Sequence, residues 1–393
     1  MGEVAPTEAA SPAPDKLLSK DFIFLCLTNL LCFIVDYSFL VTLPVYLVVL
    51  GGSVGQAGLA TAASSLVQVV TVPQLGRYVD RLGKTTFMSL GMGLLLVEAL
   101  VLPYVSGLPW LIAMGGLCGA ALACFQTGST TLVAELAPIH RRGQALGVFG
   151  TFTTASIAIS PTVSTFVMLN SGFPRLFAMS AGLATMGLVL SRLVREPALR
   201  GEAPASRRLY SQAALLPGMG IFSITMTYGT LVSFLPVRAL AMGLDNVGMF
   251  FALFAVSSVL VRILAGTVSD RVGRLPVVLP ALLLIAVGTF AIGRAESAAV
   301  ALGIGFVYGL GYGAAYPTLL ALAVDLAGPG ERASAVATFN ASYSLGMATG
   351  SIAMGFLLAT TSFDFMAAAA AIAPLTSLLV LFLRHPSPAA SAG

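Results

Sequence analysis

The chain has 393 residues, of which 57% are hydrophobic and only 9% charged. An average soluble domain carries about 25% charged residues, so this sequence cannot coat a water-facing surface of its size, and lipid is its expected solvent. The net charge of +4 comes with no long basic tract, which excludes nucleic acid as an expected partner.

Residues 1–21 are rich in Ala and Pro with charges of both signs. They read as a disordered cytoplasmic tail, not a signal peptide. A bilayer core about 30 Å thick takes about 20 apolar residues per helix. Twelve such runs follow. The first six lie near 22–49, 56–76, 85–105, 109–135, 143–168 and 174–194. The second six lie near 213–240, 246–266, 275–294, 297–325, 333–358 and 364–383. The expected units are a bundle over 22–194, a cytoplasmic linker over 195–212, a second bundle over 213–384 and a cytoplasmic tail over 385–393. Of the 20 Lys and Arg, only Arg175, Arg238 and Arg294 fall on one side of this arrangement. The basic side is the cytoplasmic one, which places both termini inside.

Two charged islands close the second and eighth runs. They are Gly76-Arg77-Tyr78-Val79-Asp80-Arg81-Leu82-Gly83-Lys84 and Gly266-Thr267-Val268-Ser269-Asp270-Arg271-Val272-Gly273-Arg274. Both read G-x-x-x-D-R-x-G-[KR], at an offset of 190 residues from 76 to 266. The same offset relates Glu135 to Asp325, Arg142 to Arg332, Phe149 to Phe339 and Gly119 to Gly309. One offset serving separated features marks a duplicated unit. Six spans is an even number, so the copies are parallel.

This pattern resembles the major facilitator superfamily over about residues 21–384. The resemblance implies an all-α polytopic membrane protein: twelve transmembrane helices in two pseudo-symmetric six-helix bundles around a mid-membrane cavity. It also implies that Asp80, Arg81 and Lys84 hold a gate, with Asp270, Arg271 and Arg274 as their second copy. Gly76 and Gly266 leave room for close helix approach, and Gly83 and Gly273 permit a tight turn. Glu135 beside Arg142 and Asp325 beside Arg332 read as gate ion pairs.

The fifth span resembles the small-residue motif of the family's drug:proton antiporters, in the frame Gly147, Ser156, Ser160, Pro161. Most of that motif's glycines are Ser or Thr here. The eleventh span has Gly346 and Gly350 in the same frame. These residues are expected to let the two bundles pack closely. The fourth-span arginine that many such antiporters carry is absent: no Arg lies between Trp110 and Leu136.

Asp36 lies mid-span, where an ionisable group is costly. It reads as a proton or substrate site, or as a structural carboxyl bonded to a neighbouring helix. Glu98 is a second proton-coupling candidate, unless it snorkels towards headgroups. Tyr308, Tyr312 and Tyr316 recur at i, i+4, i+8 on one face, offering either a ligand surface or interhelical packing. Asn29, Gln126, Tyr228, Asn340 and Tyr343 are further polar candidates for the cavity. Cys26, Cys32, Cys118 and Cys124 have no metal or redox spacing and read as buried hydrophobes. With two histidines and no nucleophile–base cluster, enzyme and metal chemistry are not expected. The expected activity is proton-coupled export of a small amphipathic molecule, neutral or cationic, by a monomer in the bacterial plasma membrane. It would run on the proton gradient without a cofactor. The alternative is uptake of a sugar or another polar metabolite by symport or facilitation.

Overall fold

The computed structural model describes residues 19–53, 56, 58–136, 142–196, 211–241, 246–327 and 331–384. Within these, the side chains of 73, 76, 77, 80, 81, 134, 142–144, 240, 241, 263, 267, 270, 332 and 333 lie outside the description. So do most of both tails and of the linker.

Among the described residues the chain is helical with no strand. The helices are α1 (Lys20–Val49), α2 (Leu59–Leu82), α3 (Lys84–Val101) and α4 (Leu108–Leu136), then one run, Arg142–Leu193, that turns at Gly172. Gly172 has φ 78° and ψ 171°, so the run is two helices, α5 (142–171) and α6 (173–193). The second half holds α7 (Leu215–Ala241), α8 (Gly248–Val272), α9 (Leu275–Gly293), α10 (Ala298–Leu326), α11 (Arg332–Thr360) and α12 (Phe363–Leu383). Ser19, Ser297 and Ser362 cap α1, α10 and α12, each accepting the backbone N–H three residues on, which satisfies a donor the helix start leaves free.

Ten helical runs, counting α5–α6 as one, are long and apolar enough to cross a bilayer. In the remaining helix, α2, the apolar stretch among the described residues is Leu59–Val72. Large apolar side chains are exposed around the molecule, including Val70, Phe166, Leu264 and Phe356. In water such a surface would aggregate; the chain is a multi-pass membrane protein.

The motif is less of a loop than its composition suggests. α2 and α8 continue through it to Leu82 and Val272. Charged residues end the apolar run but not the helix. The turn is confined to Gly83 and Gly273, both at φ 94°, where a Cβ would be strained.

The two halves share their packing. α1 lies on α5, α2 on α4 and α3 on α4; likewise α7 lies on α11, α8 on α10 and α9 on α10. Gly119 faces the Ser64 carbonyl and Gly309 the Phe254 carbonyl, so close that a Cβ would overlap either oxygen. Ser64 and Phe254 are themselves related by the 190-residue offset. The bundles meet where α1 faces α7, α2 faces α11 and α5 faces α8.

Candidate functional site

A cavity of about 60 Å³ lies between the bundles. Asp36, Phe33 and Tyr37 of α1, Ser64, Ser65 and Gln68 of α2, and Gln126 of α4 form one wall. Tyr228 of α7 and Tyr343, Ser344 and Met347 of α11 form the other. That volume has room for ordered water beside these polar groups.

Asp36 sits about 24 Å along α1 from Lys20, at 1.5 Å per residue, and is only 7% exposed. Cys118 of α4 donates its thiol to Asp36 Oδ1 at 3.5 Å. Glu98 of α3 is wholly buried, with no hydrogen-bond partner for either carboxyl oxygen. It does not snorkel outward, since none of it is exposed. Cys118 thus ties α4 to the Asp36 carboxyl of α1 as well as filling space.

Behind its wall the second half has a slab of rings, in which Tyr308, Tyr312 and Tyr316 do not themselves line the cavity. Tyr312 stacks on Tyr316 at 6.1 Å, and Tyr316 meets Tyr343 edge-on at 6.2 Å. Tyr228 lies 5.4 Å from Tyr312 and 5.5 Å from Phe254. Tyr308 is fully buried behind these, its hydroxyl 2.8 Å from Thr227 Oγ1. The i, i+4 stripe is thus one slab, with Tyr228 and Tyr343 at the cavity and Tyr308 deepest in the bundle. At the 190-residue offset, Tyr308 and Tyr316 correspond to Cys118 and Gln126 of α4. One frame carries polar groups beside two acids in the first half and phenols in the second.

Asn29 lies away from the cavity. It is buried and donates to Thr153 Oγ1 at 2.8 Å and to the Phe149 carbonyl at 3.3 Å, which ties α1 to α5. Asn340 is exposed on α11 and does not line the cavity.

At the motif end, Lys84 is 1% exposed and pairs with Glu135 at 3.1 Å and Glu196 at 3.3 Å. Glu196 also accepts the backbone N–H of Lys84 at 2.9 Å and of Thr85 at 3.4 Å, so it caps α3 from beyond the end of α6. Burial works against a charge on Glu196, but those N–H groups and the Lys84 ammonium outweigh it and hold its carboxyl below the usual range. In the second half Arg274 pairs with Asp325 at 2.9 Å and donates to Ser269 Oγ. Among the described residues, Lys84 and Arg274 of the motif pair with Glu135 and Asp325. The side chains of Gly76, Asp80, Arg81, Arg142, Asp270 and Arg332 lie outside the described residues, while Arg271 is exposed. At Gly266 an added Cβ would meet no described atom within 4 Å. No described atom makes the close approach expected there.

The small-residue frame seats each helix on its own bundle, not on the other. Ser156 donates to the Leu30 carbonyl at 3.1 Å, and Ser160 to that of Ile34, both on α1. Gly346 and Gly350 press on Phe222 and Met226 of α7. The serines bond where the glycines make room. At Gly147 an added Cβ would meet no described atom within 4 Å. Pro161 and Thr162 reach the other bundle at Gly248, where Thr162 Oγ1 donates to the Gly248 carbonyl at 3.0 Å. Arg262 of α8 crosses the same interface to Thr154 Oγ1 at 3.0 Å.

Sequence reasoning missed Glu196 and the role of Cys118. The first left a signal: an acid just after the sixth span, at the same membrane side as Lys84. The second left none, because a cysteine in an apolar run is ordinarily inert.

The family profile described as Major Facilitator Superfamily matches residues 25–246 and 218–393. The chain is 26% identical over 140 residues to the uncharacterized MFS-type transporter Rv1250 of Mycobacterium tuberculosis, a match covering 35% of this chain and 24% of the relative. It is 26% identical over 151 residues to the quinolone resistance protein NorA of Staphylococcus aureus, covering 38% of this chain and 39% of the relative. The alignment thus spans less than half the length of these curated relatives. A partially occluded inward open form of the xylose transporter XylE from E. coli superposes with a TM-score of 0.72 at 16% identity, over 95% of this chain and 98% of that one. Rv1250 and XylE are transporters, not enzymes. The chain belongs to the Major Facilitator Superfamily.

Proposed function

We propose that the protein exports a small amphipathic molecule, neutral or cationic, in exchange for protons. The two bundles rock about the cavity to expose it to each side in turn. The observation that carries the reading is Asp36, a nearly buried carboxyl at a cavity whose far wall is phenolic. A carboxylate there attracts a cation or takes up a proton, and occupancy by one disfavours the other. The phenol faces add stacking and cation–π attraction for an aromatic or cationic ligand. No buried Lys or Arg lines the cavity, which disfavours an anionic substrate. The similarity to a quinolone resistance protein is consistent with efflux.

The energy source in this reading is the proton gradient, with no cofactor. The working unit is a monomer in the bacterial plasma membrane, with the motif end and both termini in the cytoplasm. The polar wall of Ser64, Ser65, Gln68 and Gln126 supports a second reading, proton symport or facilitated uptake of a sugar or another polar metabolite.

Flux of tetraphenylphosphonium and of a panel of neutral sugars in proteoliposomes under an imposed pH gradient separates the two. Antiport moves the cation against incoming protons, and Asp36→Asn abolishes that coupling. Sugar flux running with the protons would favour the second reading. Intact proton-coupled flux in Asp36→Asn would remove Asp36 from the mechanism.

A further inference from the structure

Glu98 is the unexplained group of this structure. It is wholly buried, both its oxygens lack a hydrogen-bond partner, and it does not line the cavity. A carboxyl in that position is costly to retain without a use. Its polar surroundings are specific. Cys118, itself buried, donates to Asp36 and sits on α4, which packs along the α3 that carries Glu98. The titratable groups facing this trio are Cys32 and Tyr37 of α1 and Tyr228 of α7. No Lys or Arg among the described residues pairs with either acid.

We propose that Asp36, Cys118 and Glu98 are a single two-proton site, with Asp36 as its cavity-facing half, Glu98 as its enclosed half and Cys118 as the positioning residue that couples them. This rests on the proton-exchange reading of Asp36 and extends it. A cation settling beside Asp36 breaks the Asp36 O–H bond, and that proton leaves through the cavity. The Cys118 S–H proton then passes to the Asp36 carboxylate as the sulfur takes the proton of Glu98, in one concerted exchange. The thiol is restored, Glu98 is left ionised, and Asp36 releases the second proton to the cavity. Two O–H bonds are lost in all, no electron moves, and the bound cation offsets part of the charge on the two carboxylates.

The test counts protons released per tetraphenylphosphonium bound by the purified full-length protein in weakly buffered solution, with a pH indicator. Wild type is expected to release about two, and Glu98→Gln and Cys118→Ala about one each. Cys118→Ser, whose hydroxyl donates and accepts in the same place, is expected to restore about two. A purely structural role for Cys118 would not move the proton count. Thermal unfolding of each variant is recorded alongside. Cys118→Ala removes no charge, so it keeps the test decisive if Glu98→Gln fails to fold. Release of only one proton by wild type would overturn the proposal, as would an unchanged count in Glu98→Gln or Cys118→Ala. The outcome for Asp36→Asn separates the two levels. If it binds the cation and releases protons like wild type, the exchange reading itself falls. If it abolishes release while the other variants leave the count unchanged, only the coupling falls.

Discussion

Lys84 and Glu135 make in the first half the ion pair that Arg274 and Asp325 make in the second, at 3.1 and 2.9 Å. Each joins the residue after the motif's last glycine to the acid ending the fourth helix of its bundle. Their surroundings differ. Lys84 is 1% exposed and shares Glu196, whereas Arg274 and Asp325 are 24% and 52% exposed.

Burial predicts unequal costs for the equivalent substitutions. Lys84→Ala strands Glu135 and Glu196 beside a buried hole and is expected to cost about 2 kcal/mol, discounted from the roughly 3–5 kcal/mol of a fully buried pair. Arg274→Ala opens a solvated pair and is expected to cost about 1 kcal/mol or less. Thermal unfolding in detergent measures both. Equal losses would mean that burial does not set the difference.

Glu196 ties this end to acidity. Its carboxyl is held below the usual range in the folded protein by the Lys84 and Thr85 donors. Such a group stabilises at neutral pH. Its contribution declines as pH falls below about 4.3, the unfolded value, and is lost once pH drops through the folded one. Wild type is therefore expected to lose melting temperature between about pH 5 and 3, and Glu196→Gln to lose less over that interval. Parallel curves for the two would refute the capping role.

Gly119 and Gly309 should be equally intolerant. Each faces a carbonyl at the corresponding place in its half, so Ala at either forces the helices apart, at about 1–3 kcal/mol. Gly182 and Gly303 meet nothing within 4 Å among the described residues. Ala there is expected to be neutral or to stabilise by up to about 1 kcal/mol. Melting temperatures of the four variants decide it.

Gly248 closes the α5–α8 contact at the end opposite the motif. A Cβ there would overlap the backbone of Pro161 and Thr162. Gly248→Ala is expected to part the bundles at that end, lengthening the distance between spin labels on α5 and α8. Gly266→Ala, with open space before it among the described residues, serves as the control. An unchanged distance distribution in Gly248→Ala would show that the contact does not hold this conformation.

Composition and the 190-residue offset alone determined the membrane class, the helix runs and the doubled six-helix plan. Lipid demands about 20 apolar residues per span, and duplication repeats whatever one unit contains. Local chemistry also marked Gly83 and Gly273 as turns, because the chain there needs a positive φ. Which side chains meet was decided by helix rotation and tilt, and no linear pattern encodes these. Ser156 and Ser160 were legible as small residues, but only packing showed that they bond to α1 and do not face the other bundle. Asp36 was visible as a lone acid in an apolar run. That Cys118 and Glu98 stand beside it follows from three helices converging at one depth, and Glu196 reaches Lys84 only because α6 ends where α3 begins.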